Sequence, residues 1–306
     1  MCFIIIINPT LYAKTCLDAI SVWALKVMPL LFPFFIFTRL IVSLSTQRQN
    51  KLDKIFNKIY RSPQGSFQIF FLSALSGYPM GAKLICHMCE NKQISPSQAN
   101  KMLSYCSVSG PLFMLGTVGI MMLKSHIAGL IVLISNILAA LLNGFVYRGK
   151  KEKLITRETT IIKKSENILA DSVYDSLISI LMIGGYIVLS FLVIEIFKTL
   201  HLFDILTNTI CCVFNCNNCH NVVNSALFGL IEITRGIVEL STTNISLFVK
   251  TVISSTLVGF GGLSIFLQSL NFLSKLKISV KTMLLQKTTQ SLFCCVISII
   301  LCLIFL

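Results

Sequence analysis

Residues 66–89 read SFQIFFLSALSGYPMGAKLICHMC, and the topology of the whole chain turns on them. Taken together they are long enough to cross a bilayer, which needs about 20 apolar residues. Yet Ser76-Gly77-Tyr78-Pro79 splits them into halves of about ten, each too short to cross alone. The pattern predicts a re-entrant hairpin that dips in and returns to the same side. Irregular backbone at that depth is tolerated only where protein or a wet cavity covers it. A second stretch, 222–240, has the same character, split around Glu232-Ile233-Thr234-Arg235-Gly236.

The composition sets the solvent. The chain has 306 residues, 55% of them hydrophobic and only 12% charged, with a formal charge of +14. Soluble domains carry roughly 25% charged residues. So few charges exclude disorder and an ordinary cytosolic enzyme. A nucleic-acid partner is excluded too, because the chain has too little soluble surface on which to display its lysines and arginines. The expected class is an all-α polytopic membrane protein, with the lipid bilayer as its first partner.

Six stretches read as full spans: 27–44, 102–123, 127–147, 177–197, 251–273 and 288–306. The second is interrupted at Ser107-Val108-Ser109-Gly110-Pro111 and the fifth at Gly259-Phe260-Gly261-Gly262. With both hairpins re-entrant, the inner segments 39–65, 83–101, 148–164 and 275–287 hold 20 of the 26 basic residues. No lysine or arginine falls between Thr199 and Thr234, on the outer side. This is the asymmetry of the positive-inside rule. A full span at 66–89 would instead put the seven basic residues of 148–164 outside. The positive charge therefore reads mainly as orientation signal.

The order span, hairpin, broken span, span occurs twice, over 10–147 and 171–306, with hairpins at 66–89 and 222–240. A polar cytoplasmic linker, 148–170, joins the copies. Three spans per copy is an odd number, so the second copy is expected upside down relative to the first. Inverted repeats with broken helices are an architecture of secondary transporters, with the binding site at midplane between the breaks. Residues 1–9 form a short apolar segment. Met1–Ile7 lacks a basic region and a cleavage site, so it is a poor signal peptide and reads as a remnant of a longer helix or a misassigned start. Residues 10–25 read as amphipathic and interfacial.

The breaks supply the candidate site. At 76–83, Ser76, Gly77, Pro79 and Gly81 free backbone groups, and Tyr78 adds a ring and a hydroxyl. Freed N–H groups can hold an anion and freed carbonyls a cation; a plain tight turn between close-packed helices reads equally well. Ser109, Gly110 and Pro111 mark one broken span, and Gly261, Gly262, Ser264 and Gln268 its mate. Their hydroxyls and amide can bind a solute or a neighbouring helix. Glu232, Thr234, Arg235 and Glu239 form a charge cluster at membrane depth, where ionisable residues are costly and functional by default. Glu232 is the foremost candidate for a proton, cation or solute contact. Arg235, with Gly236 beside it, is placed to pair with Glu232, and a purely structural pair closing the hairpin is the competing reading.

Cys211, Cys212, Cys216, Cys219 and His220 cluster on the outer side, where disulfides persist. Cys216, Cys219 and His220 are a weak metal set, and Cys216–His220 matches the c-type haem attachment pattern without a haem domain around it. No cofactor is expected. The chain has no P-loop, HExxH or GxSxG motif, and nothing in it suggests an enzyme.

Several of these elements resemble one family. Pro29-Leu30-Leu31-Phe32-Pro33-Phe34-Phe35, the SGYPMGAKL run from Ser76, and Gly110-Pro111-Leu112-Phe113 are similar to the YlbJ-type sporulation integral membrane proteins. Glu232-Ile233-Thr234-Arg235-Gly236 and Gly261-Gly262-Leu263-Ser264 continue the resemblance in the same order. It implies a role in spore formation, in a bacterial plasma or forespore membrane, and kinship with the nucleoside-recognition "Gate" membrane domains. The first helix looks truncated against that family, and the cysteine cluster is a departure from it. Three functions are compatible: a permease-like protein for a small polar or ionic solute, a scaffold contacting other sporulation membrane proteins, and a redox or metal protein built on the cysteine cluster.

Overall fold

The computed structural model of the chain describes residues 6–44, 51–149, 167–213, 215, 219–274, 276 and 278–306. Most of the linker, Cys216 and the first five residues lie outside the described residues. Among those described, every regular element is helical.

The first half begins with α1 (Pro9–Val22) and α2 (Met28–Leu44), joined by a π-helical turn at Trp23–Val27 into one continuous rod. A short helix, α3 (Lys51–Tyr60), follows. The hairpin is α4 (Ser66–Ser76) and α5 (Met80–Glu90). Next come α6 (Pro96–Cys106), a π-helix at Phe113–Met122, and α7 (His126–Val146). The second half runs in the same order: α8 (Ile168–Thr199), short α9 (Leu202–Val213), hairpin α10 (His220–Ile231) and α11 (Ile233–Thr242), broken pair α12 (Leu247–Phe260) and α13 (Gly262–Leu273), and α14 (Val280–Phe305).

Among the described residues, five helices are long and apolar enough to cross a membrane: Pro9–Ile41, His126–Val146, Ile168–Thr199, Leu247–Leu273 and Val280–Phe305. The protein is thus a multi-pass membrane protein. The stretch expected as a sixth span, 102–123, is divided between α6 and the π-helix, with non-helical backbone at 107–110 between them.

Local chemistry sets these boundaries. Ser95 and Gln98 form a reciprocal capping box at the start of α6, with Pro96 in the first turn, where its missing N–H costs nothing. Ser125, Ser246 and Ser279 cap α7, α12 and α14 by accepting bonds from Ala128, Val249 and Thr282 N–H groups. The breaks need glycine: Gly77, Gly261 and Gly262 have φ of 74°, 90° and 66°, a region that strains any Cβ-bearing residue.

Two expectations are corrected here. Residues 10–25 are not a separate interfacial helix but the first half of the α1–α2 rod, because Tyr12, Thr15 and Ala19 are buried. They pack on α8 in antiparallel fashion. The Tyr12 hydroxyl donates to Thr199 Oγ1 (3.2 Å), Trp23 Nε1 donates to the Ile180 carbonyl (3.1 Å), and Arg39 pairs with Asp175 (2.9 Å). Gly184 makes room for the indole, since a Cβ there would lie 2.7 Å from it. Residues 48–61, expected as a loop, contain α3, and a further short helix, α9, follows α8.

The interior packs through small and polar side chains, as membrane helices do. Between α7, α12 and α14, Ser135 and Ser255 share a hydrogen bond of 2.6 Å. Ser291 donates to the Thr256 carbonyl (2.8 Å). The Asn143 amide nitrogen donates to the carbonyls of Ser104 (2.8 Å) and Gln286 (3.1 Å), stitching α6, α7 and α14 together.

Candidate functional site

The four helix breaks converge on one cavity. Its wall includes Ser76, Gly77 and Tyr78 from the first hairpin, and Ser109 and Gly110 from the first broken span. Glu232, Ile233 and Thr234 come from the second hairpin, and Ser264, Ile265 and Gln268 from the second broken span. The opposite side is apolar, with Val27, Leu31, Phe113, Ile183 and Ile187. The cavity between them is small, about 60 Å³, room for a few waters or a small polar group as it stands.

Close approach of backbones builds the cavity. A Cβ on Gly77 would run into the Gly110 backbone, so the two breaks touch with no side chain between them. A Cβ on Gly81 would meet the Cys106 carbonyl, pinning α5 against the end of α6. In the second half, Gly236 lies against the backbone of Gly229, and Gly262 against the carbonyls of Ile231 and Gly229. Pro111 opens the helical turn that follows the first break, and the Tyr78–Pro79 peptide is cis.

Glu232 is 3% exposed and stands in extended conformation between α10 and α11. Its carboxylate accepts the Arg235 backbone N–H (2.7 Å) and the Thr234 hydroxyl. It is therefore the N-cap of half-helix α11, where the helix dipole favours negative charge. The expected pairing of Arg235 with Glu232 is corrected. The Arg235 guanidinium reaches Glu239 instead (2.8 Å), one turn on, and lies over the Phe191 ring at 5.2 Å. Arg235 does not line the cavity; the other seven proposed solute contacts, Tyr78, Ser109, Gly110, Glu232, Thr234, Ser264 and Gln268, do.

Two hydroxyls on the wall have no protein partner. Ser76 and Ser109 are 1% and 2% exposed, and neither Oγ makes a hydrogen bond. A buried hydroxyl without a partner costs free energy, so each is free to bond whatever enters. Gln268 and Ser264 face each other loosely, at 3.5 Å.

Lys287 is the residue that the sequence reading missed. Counted there among the inner basic residues, it is 5% exposed and lies inside α14. Its ammonium donates to the Tyr78 hydroxyl, to the Ser107 carbonyl (2.7 Å) and to Gln290 Oε1 (3.2 Å). It stands 4.5 Å from the Tyr78 ring centroid. Tyr78 in turn donates to the same Ser107 carbonyl (2.8 Å). A lysine thus closes the carbonyl end of half-helix α6, where a cation is favoured, and holds the tyrosine that lines the cavity. The signal was Ser279: as an N-cap it starts the helix eight residues before Lys287, so the lysine falls within the helix rather than on a loop.

The outer cysteines divide. Cys211 and Cys212 are free thiols, while Cys219 is disulfide-bonded. His220 begins α10 and bonds Asn224 at 3.3 Å. Among the described residues no group of three His, Cys, Asp or Glu is arranged to hold a metal ion.

These features define a polytopic helical membrane protein with a mostly apolar cavity, carrying a few polar groups, at its helix breaks. The chain is 27% identical, over an alignment of 324 residues, to "Sporulation integral membrane protein YlbJ" of Bacillus subtilis (strain 168), covering 97% of this chain and 79% of that protein. The similarity covers nearly the whole chain and supports a YlbJ-type protein, the family its motifs resemble. No family model matches the chain, and no solved structure matches it.

Proposed function

We propose that this is a sporulation membrane protein whose central cavity binds and moves a small polar or ionic solute. The observation that carries the reading is the meeting of all four helix breaks at one cavity, with two unpartnered serine hydroxyls and a buried glutamate on its wall. Broken helices at midplane are how transporters expose backbone and polar groups to a solute without exposing them to lipid. The two halves, running in the same order, act as inverted repeats, and α1–α2 against α8 is their antiparallel seam. Rocking one repeat on the other would open the cavity to each side in turn. In this reading Ser76, Ser109 and Gln268 contact the polar part of the solute, and Ile183, Ile187 and Phe113 its apolar part. Similarity to the Bacillus subtilis protein supports action in spore formation, with the plasma or forespore membrane as its place. Kinship with the Gate domains fits a permease rather than an enzyme.

Uptake into vesicles containing the whole protein, across a panel of small metabolites, tests this. Wild type should accumulate at least one solute, and Glu232→Gln should lose that uptake while reaching the membrane at normal levels. Equal uptake by wild type and Glu232→Gln would remove the glutamate from the mechanism.

A further inference from the structure

The short helix α3 lies outside the cavity and has no part in the proposed transport. Nine of its ten residues divide into three faces. Asp53, Phe56 and Tyr60 are buried; Leu52, Ile55 and Ile59 are exposed hydrophobics; Lys51, Lys54 and Lys58 are exposed cations. The buried face locks the other two in direction. Asp53 accepts the backbone N–H groups of Gly65 (3.0 Å) and Phe67 (3.2 Å) at the start of α4. Phe56 and Tyr60 join an aromatic cluster with Phe67, Phe70 and Tyr105. The Tyr60 hydroxyl donates to the Leu141 carbonyl near the end of α7 (3.2 Å), and Arg61 donates to the Gly149 carbonyl just past it (3.1 Å). So α3 sits at the level where α4 begins and where α7, a helix of bilayer-spanning length, ends.

Its counterpart in the second half is a natural comparison. Helix α9 also exposes apolar residues, Leu202, Ile205 and Leu206, but carries no lysine or arginine. Of these two helices, only α3 has a cationic row. A fixed apolar row with a lysine row beside it suits one environment: apolar side chains in the acyl boundary, ammonium groups among phosphates.

We propose that α3 is a binding surface for anionic phospholipid headgroups, with Lys51, Lys54 and Lys58 as the contacts and Leu52, Ile55 and Ile59 as the inserted edge. Each lysine near an anionic surface contributes about fivefold in affinity, so the three together give about a hundredfold preference. The test is a titration of the detergent-solubilised full chain with phosphatidylglycerol or phosphatidylcholine, reading bound lipid by native mass spectrometry. Wild type should bind phosphatidylglycerol more tightly than phosphatidylcholine, and a Lys51→Gln, Lys54→Gln, Lys58→Gln triple variant should lose most of that preference. The matching Lys→Arg triple variant should keep it. Inorganic phosphate at the same concentration should compete poorly, because it lacks the acyl chains that the apolar row holds. A triple glutamine variant with wild-type preference, or a wild type that does not discriminate the two lipids, would overturn the proposal, as would full competition by phosphate.

Discussion

The hairpin that presents Glu232 packs most closely at Gly236, which makes that residue the sharpest place to perturb the cavity. A Cβ on Gly236 would collide with the Cα and N of Gly229 and lie 2.7 Å from the Ser225 carbonyl. All three are backbone atoms of α10, so no side chain can swing aside. Ordinary van der Waals contact begins at 3.4 Å, so α10 and α11 would have to part by more than half an ångström. Overpacking of this kind costs about 1–3 kcal/mol. That is about a five- to 150-fold fall in the ratio of folded to unfolded protein. The separation would also carry Glu232 and Thr234 away from the cavity. Gly185→Ala is the control, because nothing lies within 4 Å of a Cβ there and the site is helical. It should be neutral or stabilising by up to about 1 kcal/mol. Thermal unfolding of the two variants in the same detergent gives the comparison. If Gly236→Ala is as stable as Gly185→Ala, the hairpin does not pack as described and the placement of Glu232 loses its support.

Other perturbations separate structural from binding roles. Ser76→Ala and Ser109→Ala remove hydroxyls without protein partners, so stability should change by no more than about 0.5 kcal/mol or rise, while solute uptake falls; a large destabilisation would reveal a structural bond. Glu232→Ala removes the cap of α11 and should cost about 1 kcal/mol or more by thermal unfolding, with Glu232→Asp recovering part of it. Tyr78→Phe and Lys287→Met share one bond, so a double-mutant cycle should give a coupling of about 0.5–3 kcal/mol; strictly additive effects would mean the two side chains do not act together. Arg39→Ala should weaken the seam with α8 by about 1 kcal/mol or more, because its pair with Asp175 joins the two rods, whereas Lys198→Ala, part of a local pair with Glu195, should stay within about 0.5 kcal/mol.

The breaks were legible because glycine, proline and small polar residues stand out against apolar runs. Ser76–Pro79, Ser107–Pro111, Glu232 and Gly261 all fall where the helices stop. Seven of the eight proposed solute contacts meet at one cavity for the same reason: a break at membrane depth needs cover, and the cover offered is the other breaks. The rest depended on partners remote in sequence. Residues 10–25 look amphipathic in isolation, and only α8 shows why Tyr12 and Ala19 are buried. Arg235 has two carboxylates in helical reach, and the choice of Glu239 follows from Glu232 being used as a cap. Lys287 was misread because a lysine at the start of an apolar run resembles a loop residue. Its acceptors, Tyr78 and the Ser107 carbonyl, lie about 200 residues away in the chain. Helix α3 was hidden for a related reason, since its lysines signalled a loop while Asp53, Phe56 and Tyr60 fixed a helix.

The central claim is that the cavity at the four breaks is where a solute binds. It is tested most directly by screening small polar metabolites against the purified protein for a rise in thermal midpoint, alongside Ser109→Leu, whose side chain would fill the cavity. The account predicts at least one compound that stabilises wild type and leaves Ser109→Leu unmoved. A compound that stabilises both equally, or a panel that stabilises neither, would contradict it.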